Sequence, residues 1–170
     1  KYGLDYDALS TSYYPFWVWS NNQYSVQDIF NGVVNMVQNE FNKKVVISEI
    51  SWPSTVNDTD GTNNTASTAG SANYQIGVQG QVDAMRDAYQ NMSNQDGEIM
   101  GAFWWEPAWI AAKPGYNYKQ YNIDAGDALG TGWASAASLG YYADSKLYWQ
   151  NNPTWGGTSW DNQTWFDDQG

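Results

Sequence analysis

The stretch KKVVISEISWPSTVNDTDGTNNT, residues 43–65, decides the fold class of this chain. Its apolar run at 45–47 is continuous rather than alternating, which is typical of a strand buried on both faces of a parallel sheet. A carboxylate, Glu49, follows the run, and a polar loop rich in Asp, Asn and Thr comes next. We therefore predict a buried strand over residues 45–48 with a functional group at its carboxyl end.

The passages on either side of this stretch repeat the same order of elements. Residues 6–12 are predicted to form a short strand that runs into the motif YYPFW, and residues 99–104 another that runs into WWEPAW. Ser25 is predicted to cap a helix, with Asp28 in the first turn. Apolar residues at helical spacing predict the buried faces of two helices, which are Ile29, Val33, Val37 and Phe41, and Val78, Val82, Met85, Tyr89 and Met92.

Strands that alternate with helices indicate a parallel sheet. In a (β/α)8 TIM barrel, the active site lies at the carboxyl ends of the strands. A doubly wound open sheet is the alternative, although no glycine-rich phosphate loop follows any predicted strand, which argues against dinucleotide binding. Because a complete barrel needs about 250 residues, we expect these 170 residues to form part of one.

The composition excludes several classes of function. The net charge of −11, with seven Lys and Arg, argues against nucleic-acid and membrane partners. The chain has no Cys and no His, which excludes thiolate chemistry and Ser-His-Asp triads and leaves Asp and Glu as acid–base candidates. An aromatic content of 17% indicates surfaces that stack on sugar rings, with a Trp-rich structural domain as the alternative. We also expect such an acidic, cysteine-free protein to be secreted, from a bacterium.

Two of the four Glu lie at strand ends among Trp residues, namely Glu49 and Glu106. Glycoside hydrolysis uses two carboxyl groups that flank the scissile bond, so a carboxylate in an aromatic groove fits that chemistry. Alternatively, Glu49 is a buried carboxylate held by hydrogen bonds or by Arg86, and Glu106 orients the backbone before Pro107.

The loop after Glu49 has the composition of a calcium site. Oxygen-bearing side chains alternate around Gly61, and calcium binds oxygen ligands on loops that turn at glycine. The candidate ligands are Asp58, Asp60, Thr62 and Asn64. The pattern is not an EF-hand, and a solvated polar loop is the alternative.

Five motifs in order resemble the endo-β-1,4-galactanases of glycoside hydrolase family 53. They are YDALSTSYYPFW, VVISEISWP, GAFWWEPAWI, GTGWAS and GGTSWDNQTWFD, and they span nearly the whole chain. The resemblance implies a retaining (β/α)8 barrel that cuts β-1,4-galactan in type I arabinogalactan. It further implies that residues 1–170 are the C-terminal portion of one catalytic barrel, with strands six to eight, and that the remaining barrel segment is their partner.

The resemblance also implies roles for individual residues. Glu49 corresponds to the nucleophile, and the expected substrate-binding residues are Tyr13, Trp105, Trp133 and Trp155. A structural Ca²⁺ is implied between the loop after strand seven and the GGTSWDN segment, with ligands Asp58, Asp60, Thr62, Asn64, Thr158 and Asp161.

The acid/base Glu of the family follows an Asn at the end of strand four. The pair Asn39-Glu40 lies within a predicted helix instead, so we expect the general acid to lie outside this chain. Two other functions stay open: a non-catalytic carbohydrate-binding module with an aromatic platform, and another retaining β-glycanase of the same barrel clan, such as a mannanase or cellulase.

Overall fold

The computed structural model describes residues 3–18, 24–57, 64–67, 74–108, 110–111, 133–134, 147–149, 152–154 and 160–166. The chain divides into two compact units. The sheet unit comprises Lys1–Trp52, Ala69–Gln75 and Gln79–Trp105. The loop unit comprises Pro53–Thr68, Ile76–Val78 and Glu106–Gly170.

Three parallel strands form the sheet in the order β1 (Ala8–Tyr13), β2 (Lys44–Ile50) and β3 (Ile99–Trp104). A short helix, α1 (Pro15–Val18), follows β1; helix α2 (Val26–Phe41) leads to β2, and helix α3 (Val78–Ser93) leads from β2 to β3. The predicted repeat of strand and helix is therefore confirmed. Strand β2 extends two residues beyond its predicted end at Ser48, so Glu49 is its penultimate residue.

Helix α2 begins where the sequence predicts and buries a different face. Ser25 forms a capping box with Asp28, and the helix ends at Asn42 in the left-handed conformation. The predicted stripe is correct at Val37 alone, because Ile29 and Val33 are only half-buried and Phe41 is 43% exposed. The buried residues are Val26, Phe30, Val34 and Val37. Their spacing of three to four residues is that of a core-facing helix.

Helix α3 buries small residues instead of the predicted large ones. Of the predicted face, Met92 is buried, whereas Val78, Val82 and Tyr89 are exposed and Met85 is half-buried. The buried positions are Gly80, Gln81, Ala84, Ala88 and Met92. Small side chains let the helix backbone lie close to its neighbours, so the apolar periodicity indicates the wrong face here.

The loop unit contains short elements in the chain that follows β3. Strands β4 (Ile110–Ala111) and β5 (Trp133–Ala134) pair in parallel, and β6 (Leu147–Trp149) and β7 (Asn152–Thr154) form an antiparallel pair. A 3-10 helix spans Asp161–Gln163. In the part of the chain that the structure describes, no helix has the length and apolar character needed to cross a membrane.

Candidate active site

A β-bulge in β2 brings Glu49 opposite Ser12 of β1. The register of the two strands pairs Thr11 with Ile47 and then Ser12 with Glu49, which leaves Ser48 as the extra residue. The Ser48 hydroxyl donates to the Thr11 carbonyl oxygen at 3.3 Å. Bulges are common beside active sites because the extra residue redirects the side chains after it. The bulge therefore decides what faces Glu49 at the carboxyl edge of the sheet.

Two hydroxyl groups donate to one oxygen of Glu49. The Tyr14 phenol lies 2.8 Å from Glu49 Oε2, and the Ser12 hydroxyl lies 3.0 Å from the same atom. Arg86 forms an ion pair with Asp83 at 2.7 Å. Of the two alternatives for Glu49, the hydrogen bonds are present, and Arg86 is wrong as the partner because it pairs with Asp83.

Tyr14 donates to Glu49 as a neutral phenol. Burial raises the pKa of Tyr14 well above the usual value for tyrosine, and the hydrogen bond and negative charge of Glu49 raise this pKa further. A tyrosine is protonated at neutral pH in any case, and this shift keeps Tyr14 protonated in alkaline solution as well. A neutral donor orients the carboxylate without cancelling its charge, so the site presents an oriented anion.

Tyr13, which is expected at the substrate from the family resemblance, is a core residue. Its side chain is 2% exposed, and its ring packs edge-on against Phe30 of α2 with 5.1 Å between the centroids. Successive side chains of a strand point to opposite faces, so Tyr13 and its neighbour Tyr14 part at the end of β1. The sequence patterns do not predict that Ser12 and Tyr14 contact Glu49. The alternation of side chains along a strand does predict that Tyr13 and Tyr14 point to opposite faces.

An aromatic cluster continues from Tyr14. The rings of Tyr14 and Trp17 lie 5.0 Å apart, and Trp17 is 49% exposed. Trp52, three residues after Glu49, is fully buried, and its Nε1 donates to the Gln75 carbonyl oxygen at 2.9 Å. This hydrogen bond satisfies the one polar atom of the buried indole. It therefore fixes the position of Trp52, where the chain leaves the sheet after Glu49.

The remaining glutamates differ from Glu49 in position. Glu40 lies near the end of α2, in the helix that the sequence predicts, and is exposed. Glu98 lies in the turn before β3 and accepts a hydrogen bond from Gln38. Glu106 belongs to the loop unit and has a φ of 44°, which is uncommon for a residue other than glycine. Among the described glutamates of the sheet unit, Glu49 is thus the one at the carboxyl edge of the strands.

The expected sugar-stacking tryptophans lie in different parts of the chain. Trp105 directly follows β3; its backbone N–H donates to the Ile50 carbonyl oxygen at 2.9 Å, and the residue is half-buried. Trp133 pairs through its backbone with Ile110. The side chain of Trp133 and the whole of Trp155 lie outside the described residues.

Asn162 ties two segments of the loop unit together. Its side-chain Nδ2 donates to the carbonyl oxygens of Thr55 and Ala66, each at 2.8 Å. The backbone carbonyl oxygen of Asn162 accepts hydrogen bonds from the backbone N–H of Ser54 at 2.7 Å and from the Ser54 hydroxyl at 2.9 Å. These bonds hold both ends of the polar loop, at 54–55 and at 66, against the 3-10 helix.

Two of the expected calcium ligands lie beside this clamp. The Asn64 Nδ2 donates to the Asn57 carbonyl oxygen at 2.9 Å, while Asn64 Oδ1 is buried and has no hydrogen-bond partner among the described residues. Asp161 is 2% exposed. Among the described residues, no three His, Cys, Asp or Glu are grouped as a metal ion would need. The other expected ligands lie outside them: Asp58, Asp60, Thr62 and Thr158.

Comparisons with known proteins identify the family. The model of glycosyl hydrolase family 53 matches residues 1–170. The endo-beta-1,4-galactanase of Bacillus subtilis (strain 168) is 35% identical over 171 residues, which cover 100% of this chain and 37% of the relative. The arabinogalactan endo-beta-1,4-galactanase of Cellvibrio japonicus (strain Ueda107) is 29% identical over 111 residues, or 65% of this chain and 28% of that protein.

A solved structure supports the fold. The family 53 catalytic domain of Ignisphaera aggregans superposes with a TM-score of 0.60 at 23% identity, over 98% of this chain and 36% of that domain. This likeness agrees with a partial (β/α)8 barrel. The chain spans little more than a third of the length of the Bacillus subtilis and Ignisphaera aggregans proteins. On the match to its family model over all 170 residues, the chain belongs to glycosyl hydrolase family 53.

Proposed function

We propose that this chain is the C-terminal portion of a secreted enzyme that cuts β-1,4-galactosidic bonds within galactan and retains the anomeric configuration. The observation that carries the proposal is Glu49, held by two hydroxyls at the carboxyl edge of a parallel sheet in a family 53 chain. The names of the two galactanase relatives support the substrate. The barrel that contains this chain together with its remaining strands is called the complete enzyme.

The three parallel strands correspond, in this proposal, to barrel strands six, seven and eight. Their sequential order and the two connecting helices are those of consecutive βα units in a barrel. Both outer strands, β1 and β3, have one neighbour each within the described sheet. The other barrel strands would pair with these edges, so the remaining barrel segment is the structural partner of this chain.

Glu49 acts as the nucleophile. A carboxylate oxygen attacks the anomeric carbon of a galactosyl unit, the bond from that carbon to the leaving oxygen breaks, and a galactosyl-enzyme ester forms. A second carboxyl group donates its proton to the leaving oxygen and later takes a proton from the water that hydrolyses the ester. Glu40 on the exposed side of α2 and Glu98 at the opposite end of β3 are not placed for that role. We propose that the general acid lies on another strand of the barrel.

Galactan binds along an aromatic path at the barrel mouth. Trp105 directly follows β3, at the same edge of the sheet as Glu49, which supports a place near the reacting sugar. We propose that Trp133 and Trp155 stack on other sugar units of the galactan, since aromatic rings present the apolar faces that sugar C–H groups contact.

The loop unit holds a structural Ca²⁺ in this proposal. The described donors fit, because calcium takes oxygen ligands. The Oδ1 of Asn64 is buried, and the Nδ2 of the same amide already donates to a backbone carbonyl oxygen. Asp161 supplies a buried carboxylate. The ion would join the loop at 58–64 to the segment at 158–161 and would stiffen both; the remaining ligands would be Asp58, Asp60, Thr62 and Thr158.

The test compares Glu49→Gln with Glu40→Gln in the complete enzyme, on galactan, mannan and cellulose. We expect Glu49→Gln to lose nearly all turnover and remain folded, whereas Glu40→Gln keeps wild-type activity because Glu40 is exposed on a helix. Release of oligosaccharides from galactan but not from mannan or cellulose supports the substrate. Near-wild-type turnover by Glu49→Gln would overturn the nucleophile, and cleavage of mannan or cellulose in preference to galactan would overturn the substrate.

The 170-residue chain alone provides a second test. We expect it to have no hydrolase activity, because three strands present one catalytic carboxylate. A chain that unfolds in one cooperative transition, binds galactan and needs no further barrel strands would instead support a carbohydrate-binding module. Detection of the complete enzyme in the culture medium of its source tests secretion.

A further inference from the structure

We propose that Ser12 is a positioning residue that, together with Tyr14, anchors Glu49 Oε2 and leaves Oε1 as the atom that attacks the sugar; this inference rests on Glu49 being the nucleophile. Both hydroxyls donate to Oε2, at 2.8 Å from Tyr14 and 3.0 Å from Ser12. Among the residues that the structure describes, none donates to Oε1. The two oxygens of this carboxylate therefore have different surroundings.

The difference between the oxygens has a chemical consequence. An oxygen that accepts two hydrogen bonds has its lone pairs engaged, and it also fixes the plane of the carboxylate. The other oxygen keeps its lone pairs available for the anomeric carbon. Attack needs the reacting atoms at about 3–3.5 Å with aligned orbitals, so a carboxylate held in one plane reaches that geometry more often than one that rotates.

The backbone is built to deliver the Ser12 hydroxyl. The strand register pairs Ser12 with Glu49 only because Ser48 is bulged out of β2. The Ser48 hydroxyl closes the bulge by its bond to the Thr11 carbonyl oxygen. A regular register would pair Ser12 with Ser48 and move Glu49 one position along. The bulge therefore places Ser12 opposite Glu49, and the Ser12 hydroxyl then donates to Oε2.

The decisive comparison uses Ser12→Thr and Ser12→Val in the complete enzyme. The two side chains have the same shape and differ by one hydroxyl, and β-branched residues suit a strand. Ser10→Ala is the control, since Ser10 lies on the same strand, is exposed and faces Val46 in the register rather than Glu49. Two rates are measured: turnover of galactan, and covalent trapping by a 2-deoxy-2-fluoro galactoside with an activated leaving group that needs no general acid.

We expect Ser12→Val to lower kcat and the trapping rate constant by about tenfold with KM nearly unchanged, as for loss of one hydrogen bond to a charged group. Ser12→Thr and Ser10→Ala should stay within about twofold of the wild type. Wild-type trapping by Ser12→Val would overturn the inference, and so would an equal loss in Ser12→Thr, which would indicate packing alone. If mass spectrometry finds the trapped sugar on a residue other than Glu49, the proposed nucleophile itself fails.

Discussion

Gly80 allows helix α3 to approach the chain that leaves β2, and its replacement by Ala tests this packing. A Cβ at position 80 would lie 1.7 Å from the Gln75 carbonyl oxygen and 2.8 Å from Trp52 Nε1. The Gln75 oxygen would have to retreat to at least 3.4 Å, where ordinary van der Waals contact begins. That oxygen accepts the hydrogen bond of the buried Trp52 indole, so the retreat breaks the bond.

The expected loss of folding stability in Gly80→Ala is the sum of three contributions. Overpacking costs about 1–3 kcal/mol, and a buried donor left without a partner costs about 1–3 kcal/mol. The higher helix propensity of Ala offsets about 1 kcal/mol of this. We therefore expect Gly80→Ala to lower the free energy of unfolding of the complete enzyme by about 3 kcal/mol.

The assay is urea denaturation followed by tryptophan fluorescence, with Gly32→Ala as the matched control. Gly32 lies within α2, is exposed, and would place its Cβ in open space. The same chemical change there should stabilise the protein by about 1 kcal/mol, because only helix propensity changes. If Gly80→Ala is as stable as Gly32→Ala, the close approach of α3 to Trp52 is wrong.

Four further perturbations have defined outcomes. Tyr14→Phe removes a donor to Glu49 and should lower kcat of the complete enzyme about tenfold or more with little change in Tm; unchanged kcat would refute the role of the phenol. Hydrogen bonds from Ser25 lower the pKa of Asp28, so stability from this cap is present above the usual Asp pKa of about 4 and is lost as pH falls through the lowered value. Ser25→Ala should therefore lower Tm at pH 7 and less at pH 3, and an equal effect at both would count against the linkage. EDTA should lower Tm of the wild type, and added Ca²⁺ should restore it; Asn162→Ala should lower Tm by a similar amount with or without EDTA, since its amide clamps backbone carbonyls. If EDTA leaves the Tm unchanged, the proposed calcium site is wrong.

The faces of the helices show where prediction from sequence fails. Apolar periodicity assumes that the largest apolar residues are buried. In α2 large apolar residues are buried, but on a face next to the predicted one, and in α3 the assumption fails. Helix α3 buries Gly80, Ala84 and Ala88, because close approach of the backbone can exclude water as effectively as large side chains do. Whether a helix lies that close depends on residues far along the chain, such as Trp52, and no local pattern reports it.

The elements themselves are local properties of the sequence. A continuous apolar run indicates β2, Ser25 and Asp28 indicate the start of α2, and the placement of Glu49 at a strand end depends on the same run. Each depends on residues within a few positions of one another. The interactions that create these elements, hydrogen bonds of the cap and burial of consecutive residues, act over that same short range.

Only the tertiary structure decides what Glu49 meets. The bulge at Ser48 brings Ser12 opposite the carboxylate, and the alternation along β1 directs Tyr14 to it and Tyr13 into the core. A register belongs to two strands at once, and a shift of one residue moves every later side chain to a different partner. The sequence by itself therefore determines that a carboxylate lies near the carboxyl end of this strand, and the pairing of β1 with β2 determines which hydroxyls hold it.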